Sequence, residues 1–447
     1  SSDRREPVSM TVLASPIDVS AAKGGARPRI ALINQPFDAA LPPKQTSLAI
    51  WAYQVARELA DRCDVTVYGR KRRTGQQTER IDGVCYRHIP NRFDRRLIPW
   101  LERWGKNRPV DRPVAASRWY AVEYARRVAS DLRRRGCDVA WVFNYSQFAP
   151  IIKRANPATR VFLNMQCEWA SQFDRAMIAE RLRSVDAVLG CSGYVADKVR
   201  DRFPAYPGIC QAVYNGVNPR MFEVAAPIKE KTNDAGPRIL FVGRISPEKG
   251  IHVLLDAFAQ VLTVVPDATL DLVGADAACP REILADLSDD PMVRALGRFY
   301  TGEGYGAHVR AQAAALGIAE RVRFHGFLAH AETAQRFAAA ALLVNPSLSE
   351  AFGMSLAEGM AAGLPVVATR VGGMVEVVDD ETTGLLVAPD DAANLATALT
   401  RLLTDAPLRE KMGQAGRRRV AERFAWRHIA DELFALATSA DRGVPVS

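Results

Sequence analysis

Two cations and two carboxylates stand at spacings that suit an anionic, hydroxyl-rich ligand. Arg244 follows Gly243 at the end of an apolar run, and Lys249 stands just ahead of Gly250. A glycine at a strand end lets the backbone approach a ligand closely. An Arg can hold a diphosphate bidentately and a Lys can hold it as a point charge. Further on, Glu350 and Glu358 flank Phe352, Gly353, Met354, Ser355 and Leu356. A helix starting there would leave the N–H groups of Gly353, Met354, Ser355 and Leu356 free, which makes an anion site. A carboxylate in the loop and another about one turn into the helix can each accept hydrogen bonds from vicinal hydroxyls. The combination suits a sugar next to a phosphate. Each cluster alone has a plainer reading: solvated loop charges, or a helix cap in which Ser349 or Ser355 starts the helix and the glutamates complement its dipole.

The elements that must position these residues follow an alternating rhythm. Short apolar runs at 29–34, 64–68, 139–143, 161–164 and 187–190 read as buried strands, with amphipathic stretches between them. Ser47 and Ser192 are placed to cap helices. The rhythm breaks at the turn cluster 215–219 and the polar stretch 227–237, then resumes with strands at 238–242, 269–273, 322–324, 342–344 and 365–368. Strands alternating with helices mean βαβ units and parallel sheets covered on both faces. The expected fold class is therefore α/β, with two doubly wound, Rossmann-like domains facing a central cleft. Ligands bind outside the carboxyl ends of such strands.

Length and composition agree. A chain of 447 residues with 48% hydrophobic and 24% charged residues is an ordinary globular one, long enough for sizeable cores. No apolar run approaches the roughly 20 residues of a spanning helix. Seven cysteines lack CxxC spacing, so neither a zinc site nor a redox dithiol is signalled, and free thiols suit a reducing cytoplasm. The net charge of +9 is uneven: residues 1–220 hold 37 Lys+Arg and 21 Asp+Glu, or +16, leaving −7 for the rest. A basic Arg-rich style explains this equally well as an anionic partner does.

The segment 239–249 (ILFVGRISPEK), the pair Glu350–x7–Glu358 and the run 363–373 (GLPVVATRVGG) closely resemble the family 4 glycosyltransferases. The likeness is dense over 238–387 and thinner over 185–217. It implies the GT-B fold and retaining transfer of a hexosyl group from a nucleoside diphosphate sugar to a hydroxyl acceptor. A UDP-sugar is favoured over GDP-mannose. On this resemblance Arg244 and Lys249 hold the donor diphosphate and, with Glu350 against the sugar hydroxyls, form the catalytic group. Gly243, Phe352, Gly353, Met354, Ser355 and Leu356 line the donor, Glu358 takes the ribose hydroxyls, and the base lies against Gly274, Phe327 and Leu328. No Asp-x-Asp occurs, so no metal ligands and no required cofactor are expected. Where many members carry a glycine pair after the first strand, this chain has the loop 34–44. Where many carry a His, it has Gln166 and Glu168, the acceptor-side candidates. The polar, Gly- and Pro-containing start (1–28) reads as a disordered leader, and the rest divides into an acceptor domain (29–220), a donor domain (221–420) and, as the resemblance implies, a C-terminal helix (421–447) returning to the first domain. The alternatives are a GT-B phosphorylase or epimerase, or a non-catalytic protein that binds glycans or a membrane surface.

Other features weigh less. Gly302, Gly304 and Gly306 lack dinucleotide-site spacing and read as a flexible loop. Six histidines show no metal spacing, and His325 is the one nearest the base region. The stretch 92–135 mixes Arg with Trp100, Trp104, Trp119 and Tyr120. Inward packing of these aromatics is the favoured reading, with an interfacial membrane segment next and nucleic acid a poor fit. If the basic half has a partner, it is an anionic or lipid-linked acceptor, and the location is cytoplasmic, peripheral at the inner membrane face.

Overall fold

The computed structural model describes residues 27–42, 46–71, 76–105, 108–206, 208–223 and 236–439. The expected leader, apart from its last two residues, and most of the polar stretch 227–237 lie outside them. Among the described residues no helix is long and apolar enough to cross a membrane.

The first sheet holds eight strands: β1 (Arg29–Ile33), β2 (Asp64–Arg70), β3 (Thr78–Ile81), β4 (Val84–Ile89), β5 (Val139–Phe143), β6 (Arg160–Met165), β7 (Ala187–Gly190) and β8 (Ile209–Ala212). Their order is β3-β4-β2-β1-β5-β6-β7-β8, parallel except for β3. The second sheet holds β9 (Arg238–Val242), β10 (Thr269–Val273), β11 (Val322–Gly326), β12 (Leu342–Asn345), β13 (Val366–Thr369) and β14 (Gly384–Val387), all parallel in the order β11-β10-β9-β12-β13-β14. The central strands are almost continuously buried, as parallel strands covered on both faces must be. Strands β3, β4, β8 and β14 were not foreseen. β3 is short, polar and half-exposed at the sheet edge, so it carries no apolar signal.

Helix boundaries shift by a residue or a few. Thr46, not Ser47, caps the helix Ser47–Leu59, accepting from the Ala49 N–H at 3.3 Å. Ser192 caps Gly193–Arg202 as expected. Gly302 and Gly304 have positive φ, but Gly306 lies inside the helix Tyr305–Ala315, so the glycine run is a helix start rather than a free loop.

The last helix, Trp426–Thr438, crosses back to the first domain. Trp426 meets Trp51 edge-on at 6.3 Å, and Arg62 pairs with Asp431 at 2.6 Å across 369 residues of sequence. Leu433 and Ile429 share the core of Val55, Leu59 and Trp141.

The two sheets face each other with their strand ends. After β7, Ser192 donates to the Ala351 carbonyl at 2.6 Å, in the loop after β12. Glu376 accepts from the N–H groups of Gly193 and Tyr194 at 2.7 and 2.8 Å. A second-domain carboxylate thus satisfies the start of a first-domain helix, where negative charge is favoured. Tyr214, Phe352 and Phe424 form an aromatic triangle with centroids 5.5–6.0 Å apart, and one hydrophobic core runs through both domains there. Glu376→Ala is expected to cost about 2 kcal/mol, from two lost charge-assisted bonds. That is a fall in Tm of a few °C, and an unchanged melting curve would show that the junction holds without this carboxylate.

The expectation of inward-packed aromatics fails for three tryptophans. Trp100, Trp104 and Trp119 are 56%, 72% and 46% exposed. Only Tyr120 packs inward, stacked on Tyr145 at 5.9 Å. The helix Asp94–Trp104 buries just Asp94 and Leu101, and its two tryptophans lie against each other on the outer face.

Candidate functional site

In the second sheet the chain crosses one way from β9 to β10 and the other way to β12, so the loops after β9 and β12 meet at a topological switch point. The first loop runs from Gly243 through the short turn Pro247–Lys249 into the helix Ile251–Val261, and the second runs from Pro346 to Gly353 and into the helix Met354–Ala362. They are fastened together: the Leu348 N–H bonds to the Glu248 carbonyl at 2.7 Å, and a Cβ on Gly250 would lie 2.1 Å from the Pro346 carbonyl oxygen. Asn345 holds the base of the second loop, accepting from Ser347 N–H and Oγ at 3.2 and 2.6 Å.

Three of the expected residues, Arg244, Lys249 and Glu350, come together here. Lys249 Nζ meets Glu350 Oε2 at 2.6 Å, with both side chains largely buried. Arg244 pairs with Glu248 at 2.9 Å, and its own side chain is 49% exposed. Ser246 Oγ donates to the other Glu248 oxygen. The sequence had not marked Glu248 or Ser246. Their signal is the i, i+4 and i, i+2 spacing across a Pro-led turn, which aims Arg244. Each cation is thus matched by a carboxylate, and the arrangement is neutral before a ligand arrives.

Burial alone would raise the Glu350 carboxyl, but Lys249 beside it, the Phe352 N–H and Arg244 farther out hold it below the usual range. Glu358, one turn into the helix, has no ion pair among the described residues, and burial pushes its carboxyl up to about 7. The two glutamates are therefore shifted in opposite directions from the ordinary carboxylate value.

Gly353 takes φ +101°, a left-handed conformation that lets the chain turn into the helix without a side-chain cap. The N–H groups of Gly353, Met354 and Ser355 have no partner among the described residues. Leu356 departs from expectation: its N–H bonds to the Gly353 carbonyl at 3.0 Å and is not available to an anion. The buried Ser355 hydroxyl accepts from Asn345 at 3.4 Å.

At the other side of the switch point, Gly274 packs so closely on Gly243 that a Cβ would lie 1.8 Å from the Gly243 carbonyl oxygen. Phe327, just past β11, is 80% exposed, with no ring partner among the described residues, beside half-buried Leu328. His325 lies below it, 3.1 Å from buried Asp271, and is part of an internal charge cluster with Arg336.

The acceptor-side candidates are placed by the first sheet. Gln166 follows β6: its N–H bonds to Asn144 Oδ1 at 2.8 Å and its amide to Asn164 Oδ1 at 2.9 Å. Glu168 is held in an ion pair with Lys198 on the helix Gly193–Arg202. It anchors that helix and is not a free carboxylate. Beside them Tyr145 contacts Trp169 and Phe37 at 6.1 and 6.3 Å, an aromatic wall the sequence had not marked.

Residues 225–419 match the family described as Glycosyl transferases group 1, and residues 48–220 match Glycosyltransferase Family 4. A D-inositol 3-phosphate glycosyltransferase of Stackebrandtia nassauensis is 32% identical over 252 residues, which is 56% of this chain and 53% of that protein, so the match spans about half of each. Among solved structures, sucrose-phosphate synthase of Thermosynechococcus elongatus superposes with a TM-score of 0.68 at 23% identity, over 92% of this chain and 98% of the other. The Anabaena protein HepE, solved with UDP and glucose, gives 0.63 at 18% identity over 92% and 99%. At these identities the structures show a shared fold.

Proposed function

The chain belongs to the family 4 glycosyltransferases and has the GT-B fold, and from that premise we propose retaining transfer of a hexosyl group from a UDP-sugar, with GDP-mannose the next choice, to an acceptor hydroxyl. The observation that carries this reading is the buried Lys249–Glu350 pair set against the unpartnered N–H groups of Gly353, Met354 and Ser355. Lys249, Arg244 and those N–H groups hold the donor diphosphate. As the bond from the anomeric carbon to the phosphate oxygen breaks, negative charge builds on that oxygen, and fixed donors stabilise it without reorganising. The cations supply this charge without a divalent ion. Glu350 accepts from the sugar hydroxyls, Glu358 from the ribose hydroxyls, and Phe327 offers its face to the base beside Gly274 and Leu328. The acceptor oxygen attacks the same face of the anomeric carbon, and its proton passes to the departing phosphate oxygen. No protein base is needed, which fits a Glu168 already committed to Lys198.

The acceptor lies against the first domain, near Gln166 and the Tyr145–Trp169 wall. The positive charge of residues 1–220 favours an acceptor that is anionic or lipid-linked. A thermal-shift comparison of UDP, GDP and dTDP tests the donor. A ligand at 100 times its Kd adds about 2.7 kcal/mol to stability, so UDP is expected to raise Tm by several °C and more than the other two. If none of the three nucleotides moves Tm, the donor-site reading fails. If GDP gives the larger shift, the donor is a GDP-sugar.

A further inference from the structure

The helix Asp94–Trp104 presents an aromatic ridge that nothing in the described chain covers. At 100° per residue, Phe93, Leu97, Trp100 and Trp104 fall within an arc of about 60°. Phe93, Trp100 and Trp104 are 55%, 56% and 72% exposed, and the two indoles lie side by side at 6.1 Å. Large apolar side chains left in water over one continuous stripe mark an interaction surface. Leu101 and Asp94, about a quarter turn round, are buried and fix which way the ridge faces. Asp94 accepts from the N–H groups of Glu123 and Tyr124 at 2.9 and 2.8 Å, while Glu123 accepts from the Phe93 N–H at 2.7 Å. This reciprocal cap ties the helix to the first domain with its aromatic side outward.

The surroundings are basic. From Arg92 to Trp119 the sequence has seven Arg and one Lys against three acidic residues. One of those acids, Asp94, is turned inward. Exposed Arg92, Arg96 and Arg103 line one flank of the ridge. The ridge stands near the carboxyl end of β4, where Asn91 bonds to the Pro36 carbonyl at 3.0 Å in the loop after β1. It is therefore on the side of the first sheet that carries the cleft.

We propose that this ridge is a membrane-docking surface, which seats the first domain on an anionic bilayer with Trp100 and Trp104 at the headgroup level. A narrow convex stripe of tryptophan flanked by arginine matches a bilayer interface, where amphipathic rings lodge and surface anions attract basic side chains. The inference deepens the acceptor-side reading above: a surface seated this way brings the cleft to a lipid-linked substrate.

Co-sedimentation of the full chain with vesicles of phosphatidylcholine, alone or with phosphatidylglycerol, tests it. At low salt the anionic vesicles are expected to bind at least about tenfold more protein than the neutral ones, with a blue shift of tryptophan emission. The double variant Trp100→Ser/Trp104→Ser is expected to lose about tenfold or more of that binding. Its melting temperature and its shift with UDP should match the wild type, which separates failure of docking from failure of the donor site. Absence of binding to anionic vesicles at low salt, or equal binding by the double variant, overturns the proposal. Self-association abolished by the same two substitutions, without vesicle binding, overturns it in favour of a second copy of the chain.

Discussion

Replacing Lys249 with Ala is expected to lower the transfer rate by about 10²–10³-fold, the usual loss when one fixed donor to a developing oxyanion is removed. The same change leaves the largely buried Glu350 without its ammonium partner at 2.6 Å, with only the Phe352 N–H and the more distant Arg244 to offset its charge. Breaking a buried pair from one side costs about 3–5 kcal/mol of stability, so the variant should melt well below the wild type. The two effects separate through Lys249→Met/Glu350→Gln. That variant removes both charges, should recover much of the lost stability and should remain inactive. Steady-state transfer with the donor chosen by thermal shift gives the rate, and melting curves give the stability. Activity within about threefold of wild type in Lys249→Ala would remove Lys249 from the leaving-group site.

Glu358→Gln carries the second large effect, and its sign depends on pH. The wild-type carboxyl has its ordinary value at 4.5 and is raised to about 7 in the folded protein. The folded state therefore binds this proton more tightly than the unfolded chain does. The stability from this group is fully present below pH 4.5 and is lost as pH rises through 7. Glutamine has no such loss, so the variant should gain stability relative to wild type at pH 8 and show no gain at pH 4. Nucleotide binding should move the other way. Hydrogen bonds to a charged acceptor are worth about 1.5–3 kcal/mol, so the variant should bind UDP roughly 10–100-fold more weakly at pH 8. Wild-type affinity should strengthen as pH rises through 7, and the variant's should stay flat. Parallel titrations of the two proteins would refute the ribose role.

The donor half was readable because its chemistry is local. Gly243, Arg244 and Lys249 sit within one loop, and Glu350 to Glu358 within one loop-helix junction, so residue spacing alone predicts their neighbourhood. Pairing between the loops was not readable. That Lys249 meets Glu350, rather than each waiting free for a ligand, depends on β9 and β12 being neighbours in the sheet. Spacing does not show that the Leu356 N–H is taken, because the first turn tightens onto the Gly353 carbonyl, with Gly353 at φ +101°.

The acceptor half was harder. Gln166 is aimed by Asn144 and Asn164, from the ends of two strands, and Glu168 by Lys198, 30 residues on. No periodicity announces such contacts. The tryptophan ridge, by contrast, has a signal in the sequence. Average burial favours packing aromatics inward, but a helical projection of residues 93–104 places them on one face with a single buried leucine beside it. Glu376 at the start of Gly193–Arg202 could be found only once the domains were assembled.

The last helix sets an order in time. Trp426, Ile429 and Leu433 complete the core around Trp51, Val55 and Leu59. A ribosome delivers those residues only after the whole second domain has been made. Until then the first domain has a sheet with one apolar flank open to water, while the second can close its own core behind it. The domain made first is thus the one finished last, and the nascent chain must keep Trp51 from finding another partner throughout that interval.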